Sequence, residues 1–285
     1  MVRQHARTRI LAAAAFLIGV TACGGGDDTD QSSRSPEAAA PAAPVANAAT
    51  LTGEVVFTGA VPAPTPIDMS EEPACAEKHD STPVSEEVVV NDGKLQNVFI
   101  YIRDGLTGAS ATAGEPVVID QDGCVYIPHV AGVQIGQELV FRNSDGLLHN
   151  IKATPSANPG FNISQPTTME SARTFRASEV MVPIECNVHG WMRAYVGVLD
   201  HPYFAVSGED GAFSIGNLPP GTYTVEAWHE EYGTQTQEVT LGPDASQAIT
   251  FTFDPSMAGA YVPLGRPIDP HVHDVAVQLD HDARH

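Results

Sequence analysis

Beyond residue 50 the chain offers no run of apolar residues at helical spacing; short apolar runs alternate with turn residues instead, which confines it to an all-β class. The runs read as strands at 54–58, 87–90, 98–103, 117–120 and 133–142, with further strands at 179–184 and 194–199. In Val98-Phe99-Ile100-Tyr101-Ile102 most positions are apolar, which suits a strand covered on both faces. Asn91-Asp92-Gly93 supplies the turn of a hairpin leading into it.

The first fifty residues are of another kind. Arg3, Arg7 and Arg9 precede an apolar run from Ile10 to Val20, too short to span a bilayer and flanked as an export signal is. Val20-Thr21-Ala22-Cys23 resembles the lipobox of bacterial lipoproteins, which implies cleavage after residue 22 and a lipid anchor on Cys23. Ordinary cleavage leaving a spare thiol is the plainer alternative. Gly24 follows the cysteine, so the resemblance favours the outer membrane if the cell is Gram-negative. The expected location is extracytoplasmic, at the periplasmic face or the cell surface, with membrane contact through the anchor alone. Residues 23–50 are Ala, Pro, Ser, Asp and Gly with almost no large apolar side chain, and read as a disordered tether.

Removal of residues 1–22 leaves 11 basic against 35 acidic residues, a formal charge of −24. A field of that sign makes nucleic acid an improbable partner and favours basic ones. Of the four cysteines, three remain once Cys23 is lipidated, and an oxidising compartment pairs two of them. Cys75 and Cys124 lie in stretches without tight ligand spacing, whereas Cys186 has a His and a Met close behind it; the expected disulfide is Cys75 to Cys124.

Cys186-Asn187-Val188-His189-Gly190-Trp191-Met192 stands between two apolar strands, so a thiolate, an imidazole and a thioether converge from one tight loop. A fourth ligand must come from elsewhere, and His149 is the best candidate, since residues 143–150 form a polar loop ending a strand-like run. Two His, one Cys and a weak axial Met are the donor set of a blue copper site, a compromise between the tetragonal preference of Cu(II) and the softer preference of Cu(I). A disulfide to Cys186, a surface role for His189 and plain core filling by Met192 are the alternatives. Glu185 and Asn187, not histidines, flank Cys186, which argues against multicopper oxidase chemistry; the chain is not expected to be an enzyme.

Residues 133–145, His149-Asn150 and the Cys186 loop together resemble a cupredoxin, and the Cys-x2-His-x2-Met spacing resembles the short ligand loop of amicyanin. The resemblance spans about residues 51–200 and implies a Greek-key β-sandwich holding one type 1 copper on His149, Cys186, His189 and Met192. It implies that Asn150 ties the two ligand loops together and that electrons pass through His189, near the surface, to and from redox partners such as a cytochrome or a dehydrogenase. Leu147, Leu148 and Trp191 are candidates for a docking rim. From residue 201 to 255, Asp210-Gly211-Ala212-Phe213-Ser214-Ile215 and Leu218-Pro219-Pro220-Gly221-Thr222-Tyr223-Thr224-Val225 resemble a carboxypeptidase-regulatory-like, or transthyretin-like, module, a small prealbumin-like sandwich. Residues 256–285 form an acidic tail holding His271, His273, His281 and His285. His79 and His129 are expected to be structural, and Trp228-His229 to serve packing or a module interface.

The expected function is a one-electron carrier. Copper storage or delivery on the same ligands, and a carbohydrate- or protein-binding surface lipoprotein with a structural metal, are the competing classes.

Overall fold

The computed structural model describes residues 45–107 and 114–259. The signal at 1–22, Cys23, nearly all of the tether and the tail histidines lie outside the described residues. Strand β1 (Ala49–Phe57) is followed by a one-turn helix α1 (Pro73–Ala76), the short strands β2 (Val90–Asn91) and β3 (Lys94–Leu95), and β4 (Phe99–Asp104). The middle of the chain holds β5 (Val117–Asp122), β6 (Val125–Ile127), β7 (Val130–Gln134), β8 (Leu139–Asn143), β9 (His149–Ala153), β10 (Phe161–Gln165), β11 (Met169–Arg173), β12 (Glu179–Glu185) and β13 (Arg193–Leu199). Strands β14 (Phe204–Val206), β15 (Ala212–Leu218), β16 (Gly221–His229), β17 (Gly233–Leu241) and β18 (Ser246–Phe253) complete it. The fold is all-β, and no described helix is long and apolar enough to cross a membrane.

Strands β5 to β13 form one sandwich. Its sheets run β10-β9-β12-β13-β7 and β11-β8-β5-β6 and share a core that includes Ile119, Phe141, Ile151, Val182, Ile184 and Val196. The remaining strands form a second sandwich from sheets β15-β1-β3-β2, with β18 parallel to β1, and β14-β4-β16-β17. Leu51, Ile100, Phe213, Val225 and Phe251 belong to its core.

This division differs from the expected one at residues 51–200 and 201–255. Leu51 pairs with Ile215, Gly53 with Ile249 and Tyr101 with Glu226, so β1 and β4 belong to the sandwich that residues 204–253 build, and the β5–β13 sandwich is inserted between β4 and β14. The two-sided apolar character of β4 is the physical reason. Ile100 and Ile102 enter the core of the terminal sandwich, while Phe99 and Tyr101 enter a third cluster with Val130, Tyr195, Leu199 and Trp228 that joins the two sandwiches.

That junction depends on two glycines. Gly132 of β7 and Gly197 of β13 are cross-strand partners, and a Cβ on Gly197 would stand 2.4 Å from the Phe99 ring. The Phe99 ring is fully buried and has nowhere to go. Gly197→Ala is therefore expected to destabilise the protein by about 1–3 kcal/mol as an overpacked interior does; a thermal melt with an unchanged midpoint would refute this account of the junction.

The single strand expected at 133–142 is broken. Gly136 takes φ 78°, and Gln137 Oε1 accepts the Gln134 N–H at 2.9 Å, so the chain turns and places β7 and β8 in different sheets. Strands β9, β10 and β11 were not foreseen; β11 is a largely exposed edge strand whose side chains lack the alternation that marks a half-buried one.

Candidate metal centre

Pairing of β9 with β12 brings the two ligand loops to one end of the inserted sandwich: Ala153 lies opposite Ile184 and Lys152 opposite Glu185. Asn143 shapes the first loop, its Oδ1 accepting from Asp145 N and Gly146 N and its Nδ2 donating to Leu147 O. The turn ends where His149 opens β9. In the second loop Cys186 N donates to Met192 O at 3.3 Å and Met192 N to His189 O at 3.0 Å, which closes the loop on itself. Asn150 Oδ1 accepts the Asn187 N–H at 3.0 Å, linking the loops directly. Tyr126 Oη reaches both strands, donating to Asn150 O at 2.8 Å and Glu185 O at 3.3 Å.

Within this frame the Nδ1 atoms of His149 and His189 stand 2.9 Å apart, and Cys186 Sγ lies 3.9 Å from His189 Nδ1. One donor atom from each of the three residues falls within 4.8 Å of the others. His149 is fully buried, and Cys186, His189 and Met192 are 4%, 2% and 2% exposed. Met192 joins the same buried cluster as Cys186. Burial pushes the Cys186 thiol up, but bonds from the His149 and His189 imidazoles and the His189 N–H outweigh it and bring the pKa down to about 5. A thiolate at neutral pH is the form a soft metal takes.

Asp145 was not foreseen, and it organises the whole site. Its buried carboxylate accepts from His149 Nε2 at 2.8 Å, from the backbone N–H groups of Gly123 and Cys124 at 2.7 and 2.8 Å, and from Lys78 Nζ at 3.0 Å. Burial opposes its ionisation, yet these four donors hold its pKa at about 2. An ionised carboxylate on Nε2 keeps hydrogen on that nitrogen, so Nδ1, which donates to the Cys186 sulfur in the metal-free site, is the nitrogen that gives up its proton to a metal. In the sequence Asp145 is one polar residue in a polar loop, and its partners other than His149 come from segments more than twenty residues away.

Cys75 and Cys124 form a disulfide. It lies against the site, with Cys75 Sγ 3.6 Å from His189 Nε2. His189 is therefore covered, contrary to the expectation that it sits near the surface: the segment between β1 and β2, which carries Cys75 and Lys78, closes over its Nε2 edge. Trp191 is half-buried, its Nε1 donating to Cys124 O at 2.9 Å and its ring 5.2 Å from that of His189. Leu147 is half-buried as well, while Leu148 is 48% and Val188 40% exposed. His79 donates from Nε2 to Gly123 O at 2.7 Å, and buried His129 pairs with Glu230 across the two sandwiches. Trp228 sits in the junction cluster, and His229 stacks on Tyr232 at 4.9 Å.

Three buried donors of this kind, with one imidazole's Nδ1 aimed inward by a carboxylate on its other nitrogen, fit copper. The carboxypeptidase regulatory-like domain family matches residues 193–254, which takes in β13 and the strands from β14 to β18. Among solved structures, the chain is similar to a copper-containing nitrite reductase from Thermus scotoductus SA-01, with 20% identity and a TM-score of 0.28 over 33% of this chain and 24% of that one. It is also similar to an oxidised amicyanin mutant, with 19% identity and a TM-score of 0.27 over 35% of this chain and 97% of that one. A purple cupredoxin from Nitrosopumilus maritimus has 19% identity and a TM-score of 0.26 over 30% of this chain and 99% of that one. At such scores the likeness bears no functional argument. No curated protein sequence matches the chain significantly.

Proposed function

We propose that the inserted sandwich is a type 1 copper centre that carries single electrons between extracytoplasmic redox partners, with His149, Cys186, His189 and Met192 as ligands and no catalytic role of its own. The observation that carries this reading is the convergence of the His149 and His189 Nδ1 atoms with the Cys186 thiolate in a buried pocket. Copper, when bound, takes and releases one electron. The protein's part is to hold the donors still: both loops are anchored in paired strands, tied to each other by Asn150, and backed by Asp145 and Tyr126. Donors that do not move keep the reorganisation energy small and the transfer fast.

The disulfide supports an oxidising, extracytoplasmic location, and the Cys23 motif a lipid anchor there. Donor and acceptor are then redox proteins with basic docking faces, drawn by the acidic charge of the chain, and their association rates fall with salt. Leu148 and Val188 offer exposed apolar contact beside the two histidines. Storage or delivery of copper is the second reading, and the covered Nε2 edge of His189 favours it, because a sealed ligand suits retention better than rapid exchange.

Titration of the metal-free protein with Cu(II) separates the two. The electron-carrier reading expects one equivalent bound, with an intense visible absorption that is lost on reduction and restored on reoxidation. A colourless complex without a reversible visible band supports storage or delivery, and no binding at all sinks both.

A further inference from the structure

The His189 ring presents its two nitrogens to two sulfur environments. Nδ1 faces His149 and Cys186, whereas Nε2 lies 3.6 Å from Cys75 Sγ. A buried ring N–H ordinarily meets an oxygen acceptor, because a disulfide sulfur is a weak one. Here Cys75 Sγ, Cys124 Sγ and a ring nitrogen of His189 lie within 4.8 Å of one another, and all three residues are buried.

The surroundings hold these atoms in place at some cost. Cys124 takes φ 55° after Gly123 at 67°, in the two-residue turn between β5 and β6. A non-glycine residue in the left-handed region is strained. Asp145 accepts the N–H of both turn residues, Trp191 donates to Cys124 O, and His79 donates to Gly123 O, so both sides of the turn are pinned. A crosslink serving only to tie down the segment between β1 and β2 works equally well far from the ligand loops. This one is seated on the ring of His189.

We propose that Cys75 and Cys124, in their reduced state, form with His189 Nε2 a second metal site, selective for the soft cation Cu(I), on the outer edge of the first. A dithiol supplies the two electrons. One of its thiolates attacks a sulfur of the Cys75–Cys124 bond to give a mixed disulfide; its second thiol then closes the dithiol's own disulfide, and Cys75 and Cys124 are released as two thiols. Both sulfurs are buried, so the reductant reaches them through local opening of the segment between β1 and β2. Cu(I) displaces the two thiol protons to solvent and binds two thiolates and a neutral imidazole without changing its oxidation state, a donor set that soft thiolates make selective for it. When the inner site is filled as well, His189 bridges the two metals through opposite nitrogens as imidazolate, its ring proton also passing to solvent.

The test uses full-length Cys186→Ser, which lacks the thiolate of the inner centre, so that failure of the copper reading above leaves the outcome unaffected. Cu(I) bound in competition with a Cu(I)-specific chelator is counted before and after treatment with excess dithiol. The expected result is one additional equivalent in the reduced form, with an X-ray absorption first shell of two sulfurs and one nitrogen. Adding His189→Ala is expected to weaken that equivalent by at least about tenfold. Equal counts in the two states, a disulfide that resists the dithiol in the folded protein, or a sulfur-only shell would each overturn the proposal; the last reading stands even if the double variant fails to fold.

Discussion

Cys186→Ser is expected to abolish the visible absorption of copper-treated protein and to lower its copper affinity by at least about a thousandfold, on the order of 4 kcal/mol. Cys186 is a thiolate at neutral pH, at about 5, because two imidazoles and a backbone N–H offset its burial, whereas a serine hydroxyl in the same place keeps its proton. The metal loses its softest donor and its only anionic one among the four proposed ligands. The intense band of a blue centre is sulfur-to-metal charge transfer, and without the sulfur there is none. The fold should be intact, since Cys186 is one small side chain at the margin of a core built from β5 to β13. A circular dichroism spectrum matching the wild type, beside a lost band, separates the chemical effect from misfolding. Retention of the band in the variant would mean that the absorbing sulfur lies elsewhere, and the inner centre as described would be wrong.

The part of this centre that could be read from the sequence is the part that is local. Cys186, His189 and Met192 fall within seven residues, and the strands on either side are apolar, so their convergence needed no knowledge of the fold. His149 was reachable because it follows a strand-like run, and the Cys75–Cys124 pairing because few cysteines leave few choices. What was hidden is what long-range pairing creates. Nothing in the linear order puts Cys75 against His189, 114 residues away, or Lys78 on Asp145. Likewise β1 and β4 read as leading strands of the copper-binding unit, because a strand's partner is set by register with a distant segment and not by its own composition. The two-sided apolar run of β4 announced burial on both faces, yet only the structure shows two different sandwiches supplying those faces.

Asp145 is where these two scales meet, and its substitution carries the second large effect. Asp145→Ala leaves the His149 Nε2–H and the N–H groups of Gly123 and Cys124 without their acceptor in a buried place, and deprives Lys78 of its counter-charge. Each buried donor left without an acceptor costs about 1–3 kcal/mol, so the metal-free protein should melt well below the wild type. Asp145→Asn tests the cause more finely, because it preserves shape. Oδ1 now serves Gly123 N and Lys78, and Oδ2 serves Cys124 N and His149 Nε2, so an amide NH2 must confront a donor whichever way it turns. If the NH2 turns to His149, the imidazole keeps its hydrogen on Nδ1 and no longer offers that nitrogen to a metal. Copper affinity should then fall by about 10–100-fold, the usual cost of losing a partner behind a ligating histidine. The loss of stability follows from hydrogen bonds alone and is expected without metal; the loss of affinity requires that His149 bind through Nδ1. A variant that melts early yet binds copper at wild-type strength would keep the structural role of Asp145 and remove His149 from the ligand set.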